Sequence, residues 1–263
     1  MMRGFTLGRI IDFRYKTNRN MSIISMLLFL GGAWWFSSFS LGAQLGFGFF
    51  LCWALAREID PEHDLSAFVA GFIYLGVVFI LDGFDFGVLF LLLLLLRLIT
   101  KICGQVPSNL DIAGIAGLSF YLVLSQRNGV FLLLPAMAFW MAYSRYDKDK
   151  RMAFMGILFV GSFLGSFLFY PLTLVDASVL FSLAGWKAIL SVLMLSWLAY
   201  LTQFDEQIQD DLGKRLEAGY VQQGICFLIG SLVLLFVVAS LYQATWWLIL
   251  SLGSGILLYR LLG

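Results

Sequence analysis

The sequence predicts an all-α protein, a polytopic transmembrane helix bundle of about ten spans with its N-terminus and C-terminus in the cytoplasm. Of the 263 residues, 61% are hydrophobic and 13% are charged, against about 25% charged residues in ordinary soluble domains. A lipid bilayer accommodates so much apolar surface, because the side chains face lipid while each helix satisfies its own backbone hydrogen bonds. The spacing of the apolar segments and the distribution of basic residues favour the same fold class.

The apolar segments define the predicted spans, since crossing a bilayer takes about 20 mainly apolar residues. In chain order the ten predicted spans are 22–39, 41–56, 66–81, 84–100, 110–126, 129–144, 152–171, 177–201, 221–240 and 244–262. Several of them are short. The fifth and sixth belong to one apolar stretch that is interrupted by the polar run from Ser125 to Gly129, and we interpret this stretch as a hairpin of two spans.

The distribution of Lys and Arg sets the predicted topology, because cytoplasmic loops carry the excess of basic residues. With the N-terminus inside, the cytoplasmic segments are 1–21, 57–65, 101–109, 145–151 and 202–220, and they contain most of the basic residues. A single span over 110–144 would place the basic cluster in 145–151 on the outer side. The charges therefore favour the hairpin.

The predicted organisation is a single folded domain with a short leading segment. Residues 1–21 form a cytoplasmic or interfacial N-terminal segment, and residues 22–263 form one transmembrane helical domain with a cytoplasmic loop at 202–220. Ten spans divide naturally into five and five. Repeats of an odd number of spans would be inverted, an arrangement common in transporters, although the two halves show no convincing sequence match.

The most unusual polar segment is the predicted cytoplasmic loop from Ala56 to Asp64, which holds four carboxylates, an Arg and the only His. Because Mg²⁺ prefers carboxylate and phosphate oxygens, Glu58, Asp60 and Asp64 are candidate metal ligands, and Arg57 is a candidate ligand-binding residue. The alternative is structural. In that interpretation Asp60 and Asp64 cap the next helix, and Arg57 anchors the previous one to lipid headgroups.

A second acidic cluster lies in the predicted cytoplasmic loop after span eight, and it adds Asp205 and Asp210 to the candidate metal ligands. Two acidic loops on one face resemble those of the intramembrane prenyltransferases of the UbiA type, in which two Asp-rich loops hold Mg²⁺ on a prenyl diphosphate. The chain departs from that pattern in three respects. Its first loop lacks the Asn-Asp start, its second lacks a DxxxD motif, and two spans rather than three follow.

Two isolated cations are candidate ligand-binding residues. Lys187 lies about ten residues into span eight, which predicts a position near mid-depth. A charge there needs a partner or water, so we expect Lys187 to face the bundle interior; snorkelling to an interface is the alternative. Arg127 is the lone cation on the predicted outer side, where it would meet an anionic headgroup or phosphate, or pair with Asp82, Asp85 or Asp176.

These features support three functional hypotheses. The first is a small transporter or flippase for an anionic or lipid-linked solute. The second is a membrane-embedded, metal-dependent enzyme that acts on a lipid or prenyl diphosphate at the cytoplasmic face, with Mg²⁺ as its cofactor. The third is a non-catalytic membrane assembly subunit. All three place the chain in a lipid bilayer, as a multi-pass protein of a bacterial inner (plasma) membrane, and the net charge of +1 argues against a nucleic-acid partner.

Overall fold

A computed structural model of the chain describes residues 4–8, 13–78, 85–170, 178, 182–201, 210, 212–238 and 243–262. Within these residues the chain forms ten α-helices and no β-strand. In chain order the helices are α1 (Lys16–Trp35), α2 (Phe39–Ile59), α3 (Asp64–Val78), α4 (Phe86–Thr100), α5 (Asn109–Gln126), α6 (Val130–Arg145), α7 (Lys150–Ser166), α8 (Leu183–Leu201), α9 (Ala218–Val238) and α10 (Gln243–Leu262).

Each helix overlaps one predicted span, and the all-α fold class is confirmed. The hairpin expected between residues 110 and 144 is also present. Helix α5 ends at Gln126, Arg127 takes a left-handed backbone conformation with φ 51°, and α6 begins at Val130. The side chain of Asn128 accepts a hydrogen bond from the Val130 N–H at 3.0 Å, which satisfies one donor of the first turn of α6.

Helix length limits how many of these elements cross a bilayer. Three helical segments in the described part of the chain are long and apolar enough to do so: Phe39–Ile59, Ala218–Val238 and Thr245–Leu262. Four further apolar segments are shorter: Asp64–Val78, Phe86–Thr100, Val130–Arg145 and Gly185–Leu201. A helix as short as α3 or α4 extends about 22 Å, against a hydrocarbon core of about 30 Å. The lengths indicate a membrane protein, and ten full crossings stay a prediction.

The helices group into two compact units. Unit 1 comprises Met1–Arg9, Phe90–Ala177 and Gln203–Ser240, and unit 2 comprises Ile10–Leu89, Ser178–Thr202 and Leu241–Gly263. Unit 1 therefore contains α5, α6, α7, α9 and most of α4, whereas unit 2 contains α1, α2, α3, α8 and α10. With α4 counted in unit 1, each unit has five of the described helices, but the units are not the two halves of the sequence.

Small residues allow the helices of unit 2 to approach each other closely. A Cβ atom on Gly42 of α2 would lie 2.6 Å from the carbonyl oxygen of Phe29 on α1, so the two backbones are nearly in contact. The Tyr74 hydroxyl on α3 donates a hydrogen bond to the carbonyl oxygen of Gln44 on α2 at 2.7 Å, and Gly48 leaves space for the Tyr74 ring. Close packing at small residues is typical of helices in membranes.

The N-terminal segment binds to unit 1 through the start of α5. Ser108 and Asp111 form a capping box there, and the Asp111 carboxylate also accepts hydrogen bonds from the backbone N–H groups of Thr6 at 2.9 Å and Leu7 at 3.1 Å. Residues 4–8 are thus held by a buried carboxylate. Helix α1 begins at Lys16, inside the predicted N-terminal segment 1–21, and residues 9–12 lie outside the described residues.

Candidate functional site

The turn between α2 and α3 in unit 2 is rich in charged side chains. Helix α2 ends at Ile59 because Asp60 precedes Pro61, and the residue before a proline avoids the helical conformation; the backbone of Asp60 has φ −126° and ψ 72°. The carbonyl oxygen of His63 then accepts hydrogen bonds from the N–H and the hydroxyl of Ser66. Helix α3 starts at Asp64, whose negative charge suits the N-terminal end of a helix.

Asp60 is the centre of this turn, and its side chain is fully buried. Its Oδ1 accepts a hydrogen bond from Nη2 of Arg260, near the end of α10, at 2.7 Å. Nδ1 of His63 lies 3.0 Å from the same oxygen, and the His63 ring packs on Tyr259 with the ring centroids 5.5 Å apart. The other carboxylate oxygen, Oδ2, is buried and has no hydrogen-bond partner among the described residues.

Three side chains of the turn are close enough to bind one metal ion. One ligand atom from each of Asp60, Glu62 and His63 lies within 4.8 Å of the other two. In the described part of the chain, these three residues are the one group of side chains found that could hold a metal ion. Asp60 is among the metal ligands predicted from the sequence, whereas Glu62 and His63 are not. Glu58 is also a predicted ligand, but it is buried in the last turn of α2 and does not belong to the group.

Arg57 and Asp64 bind each other. Nη1 of Arg57 donates to Oδ1 of Asp64, and it also lies 3.4 Å from the carbonyl oxygen of Pro61. Among the described contacts, neither the Asp60 nor the Asp64 side chain accepts a hydrogen bond from a backbone N–H of α3. The capping alternative therefore receives no support from side-chain geometry, and Asp64 is already neutralised by an ion pair.

The second acidic cluster is described only in part. Asp205 lies outside the described residues. Asp210 closes its own turn in unit 1, since its Oδ1 accepts hydrogen bonds from the backbone N–H groups of Leu212 at 2.9 Å and Lys214 at 2.8 Å. Asp60 and Asp210 belong to different units. A Mg²⁺ site shared by the two acidic loops remains a prediction.

Lys187 is buried in unit 2, with 5% of the residue exposed, as the sequence predicts. Its Nζ lies over the ring of Trp247 on α10, 4.7 Å from the ring centroid, and an indole face attracts a cation electrostatically. The start of the helix differs from the predicted span, and the depth of Lys187 in a membrane stays a prediction. Helix α8 begins at Leu183 rather than at 177, so Lys187 lies in the second turn, about 6 Å along the helix axis.

Arg127 is exposed at the tip of the hairpin in unit 1. The residue ends α5 in a left-handed conformation, and the neighbouring Asn128 donates a hydrogen bond to the carbonyl oxygen of Val238 at 2.7 Å. Asp82 and Asp176, two of its possible partners, lie outside the described residues. The structure accounts for the position of Arg127 by turn geometry, and its binding role stays a prediction.

Two further cations, Arg97 and Arg145, are buried in unit 1, and neither is among the candidate site residues predicted from the sequence. Arg97 donates to the carbonyl oxygen of Leu7 at 3.2 Å. Arg145 donates to the carbonyl oxygen of Ile99 and to the side chain of Gln223. The Arg145 guanidinium binds a carbonyl oxygen in the last turn of α4, where unsatisfied carbonyls attract cations, whereas Arg97 binds the backbone of the N-terminal segment. The feature of the sequence that could have identified both residues is a basic side chain in the last turn of an apolar helix.

Replacing Arg260 should destabilise the protein, because Asp60 would be left buried without its guanidinium. We expect Arg260→Ala to lower the free energy of unfolding by about 3 to 5 kcal/mol. The matched control is Arg151→Ala. Arg151 donates to Asp149 and lowers the pKa of that carboxyl, but its side chain is 45% exposed, so its loss should cost at most about 1 kcal/mol.

The measurement is unfolding of both purified variants in mixed detergent micelles, followed by tryptophan fluorescence. Equal losses of stability in the two variants would contradict the assignment of Asp60 and Arg260 as a buried ion pair.

A scan against protein-family models, a search of curated proteins and a search of solved structures each found no match to this chain. The function is therefore inferred from the chain's own residues and contacts.

Proposed function

We propose that this chain is a multi-pass membrane protein of about ten spans, with both termini in the cytoplasm, and that it acts as a small transporter or flippase for an anionic or lipid-linked solute. The proposed location is a bacterial inner (plasma) membrane. In this proposal the helical bundle itself handles the solute.

The observation that supports the proposal most directly is the burial of Lys187 against Trp247. An ammonium group removed from water is an expensive feature to keep in a membrane helix, and such residues commonly mark a solute or ion pathway. The pair offers two complementary contacts, a positive charge for a phosphate or carboxylate and an indole face for an apolar chain. An amphiphilic anion matches both.

The helical composition is consistent with this proposal. Outside the helices, the described residues form short turns and the N-terminal segment. The described ranges therefore contain no folded soluble domain that would carry catalysis. Glycine contacts such as that of Gly42 with Phe29 hold neighbouring helices close together. Transporters built from packed helices place their solute sites within the bundle.

The enzyme hypothesis is the runner-up. It requires two acidic loops that share Mg²⁺, and the described part of the second loop uses the Asp210 carboxylate to close its own turn. No described contact favours a site of that kind, so the transport proposal has the better support.

Topology provides the first test. Arg127 and Lys148 make a matched pair, since both are exposed and both have a left-handed backbone, with φ 51° and 58°. After replacement of the exposed Cys226 by Ser, Arg127→Cys should react with a membrane-impermeant maleimide added to intact cells. Lys148→Cys should react only after the cells are opened, because basic loops stay inside. Labelling of position 148 but not 127 in intact cells would overturn the topology.

Lys187 provides the second test. We expect Lys187→Met to fold and to lose the stabilisation that anionic ligands confer on the wild type, which reaches about 2.7 kcal/mol at 100 times Kd. The measurement is thermal unfolding across a panel of anionic metabolites and lipid phosphates.

Lys101→Met is the matched control for this test. Lys101 also lies over an aromatic ring, 5.1 Å from the centroid of Tyr146, but it is in a loop of unit 1. The control should keep the ligand response, and Lys187→Arg should keep part of it. An identical response of wild type and Lys187→Met to every ligand that stabilises the wild type would remove the support for transport through Lys187.

A further inference from the structure

We propose that Asp60, Glu62 and His63 form a binding site for one divalent transition-metal ion of the zinc class. The site lies at the turn between α2 and α3, wholly within unit 2. It goes beyond the proposed function, because neither Lys187 nor Arg127 contributes to it. It also differs from the predicted Mg²⁺ site, since two of its three ligands are not among the metal ligands predicted from the sequence.

The spacing of the ligand atoms suits a single ion. Zinc binds imidazole nitrogen and carboxylate oxygen at about 2.0 to 2.2 Å, so two ligands of a tetrahedral ion lie about 3.3 Å apart. One ligand atom from each of the three side chains lies within 4.8 Å of the other two, and Nδ1 of His63 lies next to the Asp60 carboxylate. Binding one ion requires the three atoms to move closer together, and the Glu62 and His63 side chains, which are 24% and 37% exposed, lie at the surface of the turn.

An independent observation points to a cation at this place. The Asp60 side chain is fully buried, yet its Oδ2 accepts no hydrogen bond from the described residues. Leaving a buried polar atom unsatisfied costs about 1 to 3 kcal/mol, and more when the group is charged. A metal ion bound to this oxygen removes that penalty, while Arg260 continues to hold the other oxygen.

The charges around the turn also favour a dication. Asp60 and Glu62 contribute two negative charges and Arg260 one positive charge, while Arg57 and Asp64 neutralise each other. Arg260 serves as a positioning residue, because a hydrogen bond to a ligating carboxylate fixes its orientation.

The donor set selects the class of metal. Mg²⁺ demands nearly octahedral oxygen coordination, whereas an imidazole with two carboxylates suits zinc and the neighbouring transition metals. Three protein ligands leave at least one coordination position for water or an anion.

The test uses the full-length protein, purified in detergent, freed of metal with EDTA and titrated with Zn²⁺, Co²⁺ or Mg²⁺. The wild type should bind one Zn²⁺ per chain, show the visible absorption of tetrahedral Co²⁺, and unfold at a higher temperature with Zn²⁺ than with Mg²⁺. His63→Gln should bind Zn²⁺ at least about tenfold more weakly and lose the Co²⁺ spectrum. Asp64→Asn is the control within the same turn and should bind as the wild type does, since Asp64 pairs with Arg57.

Asp60→Asn is a poor test variant, because it would also weaken the ion pair between Asp60 and Arg260. Glu62→Gln is the second variant, and it decides the question if His63→Gln does not fold; it should lose Zn²⁺ affinity to the same extent. Three outcomes would each overturn the site: no stoichiometric Zn²⁺ in the wild type, equal Zn²⁺ affinity in the wild type and the folded variant, or stabilisation by Mg²⁺ equal to that by Zn²⁺.

Discussion

The buried carboxylate of Asp60 is the constraint on which the cluster of charged side chains at the turn between α2 and α3 depends. A carboxylate without solvent contact needs a positive partner, and Arg260 provides it from a helix 200 residues further along the chain. The pair joins the turn after α2 to the end of α10. Because desolvation of both ions offsets much of their attraction, such a pair adds little net stability, but losing either partner is costly. The pair therefore specifies which elements meet.

The position of the turn follows from this ion pair. Asp60 also orients His63 through Nδ1, and His63 packs on Tyr259, the residue next to Arg260. Glu62 lies on the same side, with its carboxylate 4.0 Å from the Arg260 guanidinium. One buried charge thus brings together an imidazole, two carboxylates and a guanidinium. The same arrangement explains why a small, polar turn between two apolar helices has the geometry of a cation site.

The other buried cations are stabilised in different ways. Lys187 uses the face of an indole, whereas Arg97 and Arg145 use backbone carbonyl oxygens, one in the N-terminal segment and one in the last turn of α4. A guanidinium has several donors in a rigid fork and satisfies carbonyls well, while an ammonium is a compact point charge that is freer to exchange partners. This difference is the physical reason for assigning solute binding to Lys187 rather than to the two arginines.

Much of the fold was predictable from the sequence, because apolar segment length and basic loops are local signals. The hairpin at Arg127 is the clearest case: the positive-inside rule required a break that hydropathy alone left open. The start of span eight was predicted too early, since α8 begins at Leu183 and apolar composition does not reveal where a helix begins. The pairing of Asp60 with Arg260 could not be predicted, because a contact between residues so far apart leaves no trace in spacing.

A double-mutant cycle on Asp60 and Arg260 tests the central claim most directly. The free energy of unfolding is measured in detergent micelles for the wild type, Asp60→Asn, Arg260→Met and the double variant. If the two side chains depend on each other, the double variant loses at least about 1.5 kcal/mol less stability than the sum of the two single losses. Losses that add to within about 0.5 kcal/mol would show that the two groups act independently and would contradict the account.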